Sequence, residues 1–361
     1  MKPIIPPVFP WKDHTKYTYP LGLDINGACF LSGNSASEYD AQSGKIVVKG
    51  DLAAQIDTAL AKIRAVLEAA GHTFNDVVSL IQYVTPGAFD EIDRLAGIFE
   101  SYGIRNAVTH IVPVNRLMRR DALIEVEVIT ALHDQQEVMN GGAAIRVFSG
   151  QEAFVLVGDA KVASNGSIES EVARNEMLLR SLGLDWTNVS RCRLIKATSD
   201  SEELDQAAAS VKAMVPALPV MPALGFARTP FSGVKILIES CVPQSDAGAA
   251  RATHGGLIRQ FGDFVFATGL QSEDEALGLV AQVEQIYGET APALLAEFGM
   301  DMRHIVQTVE WLTEETLPDY RQTGASRRVF LREPYPVASG LVCSVLPNRR
   351  KVLVDLVATT I

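Results

Sequence analysis

Residues 69–78 read A-A-G-H-T-F-N-D-V-V, and the same design returns as S-L-G-L-D-W-T-N-V-S at 181–190 and E-F-G-M-D-M-R-H-I-V at 297–306. In each copy a glycine suited to ending a helix stands five residues before Asp76-Val77, Asn188-Val189 or His304-Ile305. Each copy then runs through a β-rich stretch and a helical stretch to a closing strand that bears an acid. These strands are I-E-V-E-V with Glu127, I-L-I-E-S with Glu239 and V-L-V-D-L with Asp355. Glycine and acid are 56 residues apart each time (71 to 127, 183 to 239, 299 to 355). Equal spacings of this kind mark internal repeats, which decide the architecture before any local propensity does. The chain is therefore read as three copies of one domain, at 1–135 (with an N-terminal arm), 143–243 and 250–361.

The local pattern fills in one copy. Residues 1–16 are proline-rich and predict an extended arm. Strands are expected at 21–25 and 28–32, joined by Asn26-Gly27, a pair that tolerates the positive φ of a tight hairpin turn. Leu52, Ile56, Leu60, Ile63 and Leu67 recur at helical spacing behind the candidate cap Asp51. A strand over 77–84, a helix over 89–102 and strands over 108–114 and 122–132 complete the copy. The second copy follows a linker at 139–142, and the third follows residues 243–250. In the third copy the helix over 275–298 carries Gly288 and Pro292, so a break or kink is expected there. The order ββαβαββ predicts an α+β fold: one sheet with hairpins at both ends and two helices on one face. Val126, Val128, Leu237 and Leu353 are expected on the opposite face. Three such faces can cover one another about a central axis, which gives a single-chain pseudo-trimer with clefts between copies.

Bulk properties narrow the function. The 361 residues carry a net charge of −11, which argues against a nucleic-acid surface, since that needs clustered positive charge. Cys29, Cys192, Cys241 and Cys343 are scattered in apolar runs without a C-x-x-C and read as small buried residues. The N-terminus, broken by prolines, is not a signal peptide, and no run is long enough to span a membrane. A cytoplasmic location is expected. Histidine spacing suits no metal, and phosphate-loop and nucleophile-elbow motifs are missing. The expectation is a cofactor-free protein with a small-molecule substrate, no nucleic-acid and no membrane partner. It would be a pseudo-trimeric monomer that could self-associate further.

The copies resemble the RidA/YjgF family, whose subunits resemble the chorismate-mutase-like fold and assemble as trimers. Tyr19 lies thirteen residues before Ser32-Gly33, as in that family, and I124-E125-V126-E127 matches its closing strand. L-P-V-M-P-A-L-G-F-A-R-T-P at 218–230 and Y-P-V-A-S-G-L-V-C-S-V-L-P at 335–347 follow its signature run. The resemblance implies hydrolysis of imines or enamines in pockets between units. It also implies that Glu125 positions the attacking water, while Leu237 and Leu353 occupy that place in the other copies. Tyr19, Ser32, Gly33 and Thr109 would bind substrate. The family arginine that holds a substrate carboxylate falls on Thr109, Met221 and Ala338, so no copy keeps it. His110, beside Thr109, and Arg116, in a cluster with Arg119 and Arg120, are candidates to replace it. Partial burial of Glu125 would raise its pKa toward neutrality and suit it to take a proton from water. A chorismatase-like hydrolase of a dicarboxylate and a non-catalytic binder are the alternative readings.

Overall fold

The repeated decamers are three copies of one stop-and-restart device. Gly71, Gly183 and Gly299 adopt φ of 78°, 71° and 71°, the left-handed conformation that closes a helix most cheaply with glycine. A short 3₁₀ turn follows each, closed by a reciprocal capping box: Thr73 with Asp76, Asp185 with Asn188, Asp301 with His304. The chain then enters a buried strand, Val77–Val84, Val189–Ala197 or Ile305–Thr313. Gly183→Ala is expected to cost about 1 kcal/mol through its positive φ alone, measurable as a lower urea midpoint at unchanged m. An unchanged midpoint would remove the cap from the account.

The computed structural model describes residues 1–13, 17–132, 136–139, 144–149, 152–158, 165–242 and 249–360. Three seven-stranded sheets repeat one plan. In the first, the path runs Lys2–Ile4, Gly22–Ile25, Ala28–Leu31, Ile124–Ala131, Val77–Val84, Val108–Pro113. The closing strand thus sits in the middle, antiparallel to both neighbours, and Val108–Pro113 runs parallel to Val77–Val84. The second and third sheets place Ser232–Cys241 and Val352–Thr359 in the same central position.

Several expectations change. A hairpin is present at the N-terminal end only, where Asn26 and Gly27 have φ of 49° and 86°. At the other end the helix Ile92–Ser101 makes a crossover, and crossovers join parallel strands. That helix begins at Ile92 because Pro86 opens a 3₁₀ turn over Pro86–Glu91. The third copy's long helix is Leu279–Gln285 continued through a π-turn, Ile286–Thr290, into Ala291–Ala296. The wider turn absorbs Pro292 without a break, and a side chain at Gly288 would meet the Phe330 ring at 2.8 Å. The arm is not merely extended: Lys2–Ile4 pairs with Gly22–Ile25 and forms the sheet edge. Within the expected linkers, Met139 ends a strand, Gln136–Met139, of the second sheet, whereas residues 140–142 and 243–248 lie outside the described residues.

Each sheet packs its helices on one face. Leu52, Ile56, Leu60, Ile63, Leu67, Leu95 and Phe99 form one core with Val126 and Val128, which therefore face the helices rather than away from them. Leu237 and Leu353 do face away, in a cluster with Tyr83, Phe226 and Trp311 that draws on all three sheets. A second shared cluster joins Leu23 and Phe30, Ile145 and Leu156, and Phe264 and Phe266. Between these apolar layers the three repeated acids enter one buried polar network. Glu127 accepts from Gln307 Nε2 at 2.5 Å and Ser339 Oγ at 2.6 Å. Glu239 pairs with Arg191 at 3.1 Å and Arg193 at 2.6 Å, and Asp355 accepts from Arg193 Nη1 at 2.8 Å and Trp311 Nε1 at 2.9 Å. Burial opposes ionisation of Glu239, but Arg193 and Arg191 outweigh it and hold the carboxyl down to about 2.

The sheets meet edge to edge in a cyclic order. A side chain at Gly158 would approach Val108 Cγ1 to 2.3 Å, one at Gly269 would approach Pro222 Cβ to 3.1 Å, and one at Gly33 would approach Ser339 Oγ to 2.6 Å. The second sheet thus touches the first, the third touches the second, and the first touches the third.

Candidate functional site

The pairing of Ala28–Leu31 with the closing strand Ile124–Ala131 breaks at Ser32-Gly33 and resumes at Asn34–Ser35. At the break, Gly33 N donates to Ala338 O at 3.2 Å, and Ser32 Oγ accepts from Ala338 N at 3.0 Å while donating to Pro20 O at 2.7 Å. Ser32 is thereby spent on joining the first sheet to the third. Beside this junction lies a cavity of about 530 Å³ walled by both ends of the chain. Glu125, Tyr19, Gly33 and Arg116, each singled out in the sequence, all line it.

Glu125 lies across from Ser35 on one side and Tyr83 on the other, and is 8% exposed. Its carboxylate makes no hydrogen bond or ion pair among the described residues. Burial, reinforced by the nearby Glu127 charge, pushes it up to about 7 against the opposing pull of Lys12 and Lys62. A side chain at Gly33 would sit 2.2 Å from Glu125 Oε1, so only glycine lets the carboxylate lie against that backbone. Gly33→Ala is expected to push the Glu125 carboxylate off that backbone and change its titration, read by carboxyl NMR. An unchanged Glu125 titration in that variant would contradict this placement.

Cations dominate the rest of the wall. Arg116 and Arg119 come from the first third, and Arg321, Arg327 and Arg328 from the third. Arg327 is committed to Glu310, donating from Nε at 2.7 Å and also from Nη2, and it stacks 4.7 Å from the Tyr320 ring. Glu310 also accepts from Tyr287 at 2.8 Å. Arg119 and Arg321 make no side-chain hydrogen bond or ion pair among the described residues. Lys12 lies over the Tyr17 and Tyr19 rings at 5.5 and 5.0 Å, and Lys62 Nζ donates to Ser35 O at 2.6 Å and to Ser37 O. In a chain of net charge −11, a concave wall this rich in cations attracts small anions.

Two expected site residues lie elsewhere. Thr109 faces Gly158, and the His110 ring, 1% exposed, is 2.7 Å from Val157 O and 3.2 Å from Ile238 O. Both belong to the junction of the first and second sheets, where Leu237 replaces the acid. Burial lowers the pKa of His110 despite the pull of Glu239. The sequence reading missed Lys12, Lys62, Tyr320, Arg327 and Ser339. For Lys62 a signal existed: it shares a helix face with Gln55, Ala59 and Val66, all buried, where a lysine needs a reason.

The Endoribonuclease L-PSP family profile matches residues 13–132. A RutC family protein of Pyrococcus horikoshii is 35% identical over 111 residues, covering 30% of this chain and 85% of the relative. This chain belongs to the RutC family. A second RutC family protein, from Pyrococcus abyssi, is 30% identical over 112 residues, 31% of this chain and 84% of its own length. Among solved structures, the YjgF gene product of E. coli is 24% identical, covering 37% of this chain and all (100%) of its own, with a TM-score of 0.29. E. coli TdcF with bound serine is 23% identical over 31% of this chain and 87% of its own, with a TM-score of 0.25. Both Pyrococcus relatives of this RutC family chain match about a third of its length. Membership supports a small-molecule hydrolase-like or binding role at the level of the family. No helix among the described residues is long and apolar enough to cross a membrane.

Proposed function

We propose that the chain is a cofactor-free hydrolase or deaminase of a small, carboxylate-bearing imine, enamine or related compound, acting at Glu125. In this reading the chain is three RidA-like units, at 1–135, 143–243 and 250–361, closed into a single-chain pseudo-trimer with one working seam. The cyclic contacts of Gly33, Gly158 and Gly269 support that arrangement. The observation that carries the function is a buried carboxyl, without a hydrogen bond or ion pair among the described residues, inside a cation-walled cavity, where burial raises its pKa to about 7. Water attacks the C=N carbon and Glu125 takes its proton. That proton passes to nitrogen to give a carbinolamine, and Glu125 then moves the carbinolamine hydroxyl proton to nitrogen as the C–N bond breaks, releasing ammonia and leaving a carbonyl. Arginines from the walls take the place of the lost family arginine at Ala338.

The test is ammonia release from imines generated in situ, comparing a carboxylate-bearing imine with its neutral amide. The charged substrate is expected to be favoured in kcat/KM by roughly 10²-fold, the scale of a charge-assisted anchor. Equal values would contradict the reading. A second reading, a chorismatase-like hydrolase of a dicarboxylate, is favoured by one feature: several arginines, from the first and the last third of the chain, line the one cavity. Dicarboxylates inhibiting at least tenfold more tightly than matched monocarboxylates would select it.

A further inference from the structure

Lys62 comes from the middle of the helix Leu52–Ala70, and its aliphatic stem is buried in the sheet-facing side. Its Nζ donates to two backbone carbonyls, Ser35 O and Ser37 O. The two carbonyls accept two of its N–H bonds, and the remaining valence, a lone pair on the amine or a third N–H on the ammonium, is left to the cavity. Among the described residues no third acceptor is present, and Lys62 is part of the cavity wall. Ser35 links the two groups: its carbonyl holds Lys62, and it lies directly across the strand pair from Glu125. The pKa of Lys12 is also lowered by burial, to about 8, but its Nζ rests on two tyrosine rings instead of backbone carbonyls.

We propose that Lys62 is a nucleophilic amine that captures small 2-oxo acids in the cavity as an imine. The Lys62 nitrogen attacks the ketone carbon and gives a carbinolamine. Its hydroxyl then leaves as water with a proton from Glu125, and the C=N bond forms, one water being lost overall. The cationic wall supplies the carboxylate partner that an oxo acid requires. Burial, with the Lys12 charge next, pushes Lys62 down to about 7, against the pull of Glu38 and Glu125. Desolvation beside a second cation is a general way to activate a lysine. This capture goes beyond the hydrolytic reading and does not depend on it.

The test incubates the full chain at pH 7.5 with pyruvate and cyanoborohydride, then maps carboxyethyl-lysine by peptide mass spectrometry. Lys62 is expected to label roughly 10²-fold faster than exposed Lys45 or Lys49, because desolvation activates its amine and the cationic wall holds the pyruvate carboxylate beside it, and labelling should saturate with pyruvate. Lys62→Arg removes the nucleophilic amine while its guanidinium can still donate to the Ser35 and Ser37 carbonyls, and it should abolish the fast phase. If that variant does not fold, the map of the wild-type chain decides alone. Fast labelling on Lys12, or labelling spread over exposed lysines with Lys62 untouched, overturns the proposal. A chain that labels at Lys62 yet hydrolyses no imine would sink the hydrolytic reading and leave this one standing, and the reverse holds equally.

Discussion

Glu125→Gln is expected to reduce kcat for imine hydrolysis by about 10²–10⁴-fold, the usual contribution of a positioned general base. Glutamine keeps the volume and a hydrogen-bonding tip but cannot accept a proton from water. KM should change little, because the arginines rather than Glu125 hold the substrate anion. The same substitution has an opposite effect on stability, and its sign is set by the raised pKa. Burial puts the folded-state carboxyl at about 7, above the ordinary value near 4.3 of an unfolded chain. Its favourable protonated form is complete below about pH 4 and is lost as pH rises through 7. The glutamine variant should therefore match wild type near pH 4 and exceed it at pH 8, by about 1–3 kcal/mol in urea unfolding. A variant less stable than wild type at pH 8 would mean that Glu125 is ionised and paired in the folded protein.

Arg193→Met is expected to destabilise the chain by about 3–5 kcal/mol, the cost of removing one partner from a buried ion pair. Arg193 is 3% exposed and bridges Glu239 and Asp355, acids of two different repeats, while its guanidinium lies 5.0 Å from the Trp311 ring. Its loss leaves Asp355, 1% exposed, with Trp311 Nε1 and Gly269 N as the donors to its side chain among the described residues. Glu239 keeps Arg191. Guanidinium denaturation followed by tryptophan fluorescence reads the effect. A loss below 1 kcal/mol would show that the apolar clusters, not this network, hold the three sheets together.

How much of this was legible in the sequence depended on whether the signal was local. The cap glycines and capping boxes depend on neighbours along the chain, so the repeat, its 56-residue spacing and most elements could be read directly. The strand order could not be read the same way. A closing strand in the sheet centre satisfies the same alternation as one at the edge, and the bulk of the facing helices turned Val126 and Val128 inward. Glu125, Tyr19 and Gly33 were found because they belong to one repeat. Their partners Tyr320, Arg327 and Ser339 come from the third, and only the direction in which the seams close identifies which repeat that is. Thr109 and His110 failed for that reason: they are adjacent to Glu125 in the repeat pattern but serve the neighbouring seam. Arg116 crosses over in a different sense, pairing with Val342 at the edge of the third sheet and so reaching the cavity by an intersheet strand.

The proposed chemistry depends on a carboxyl made basic by burial at the seam of the first and third sheets. The pH dependence of kcat/KM for imine hydrolysis tests it most directly, since that parameter reports ionisation of the free protein. For wild type it should rise with pH along a limb with an apparent pKa of about 7, and the limb should vanish in Glu125→Gln. A limb near 4, or one near 7 that survives the substitution, would contradict the account.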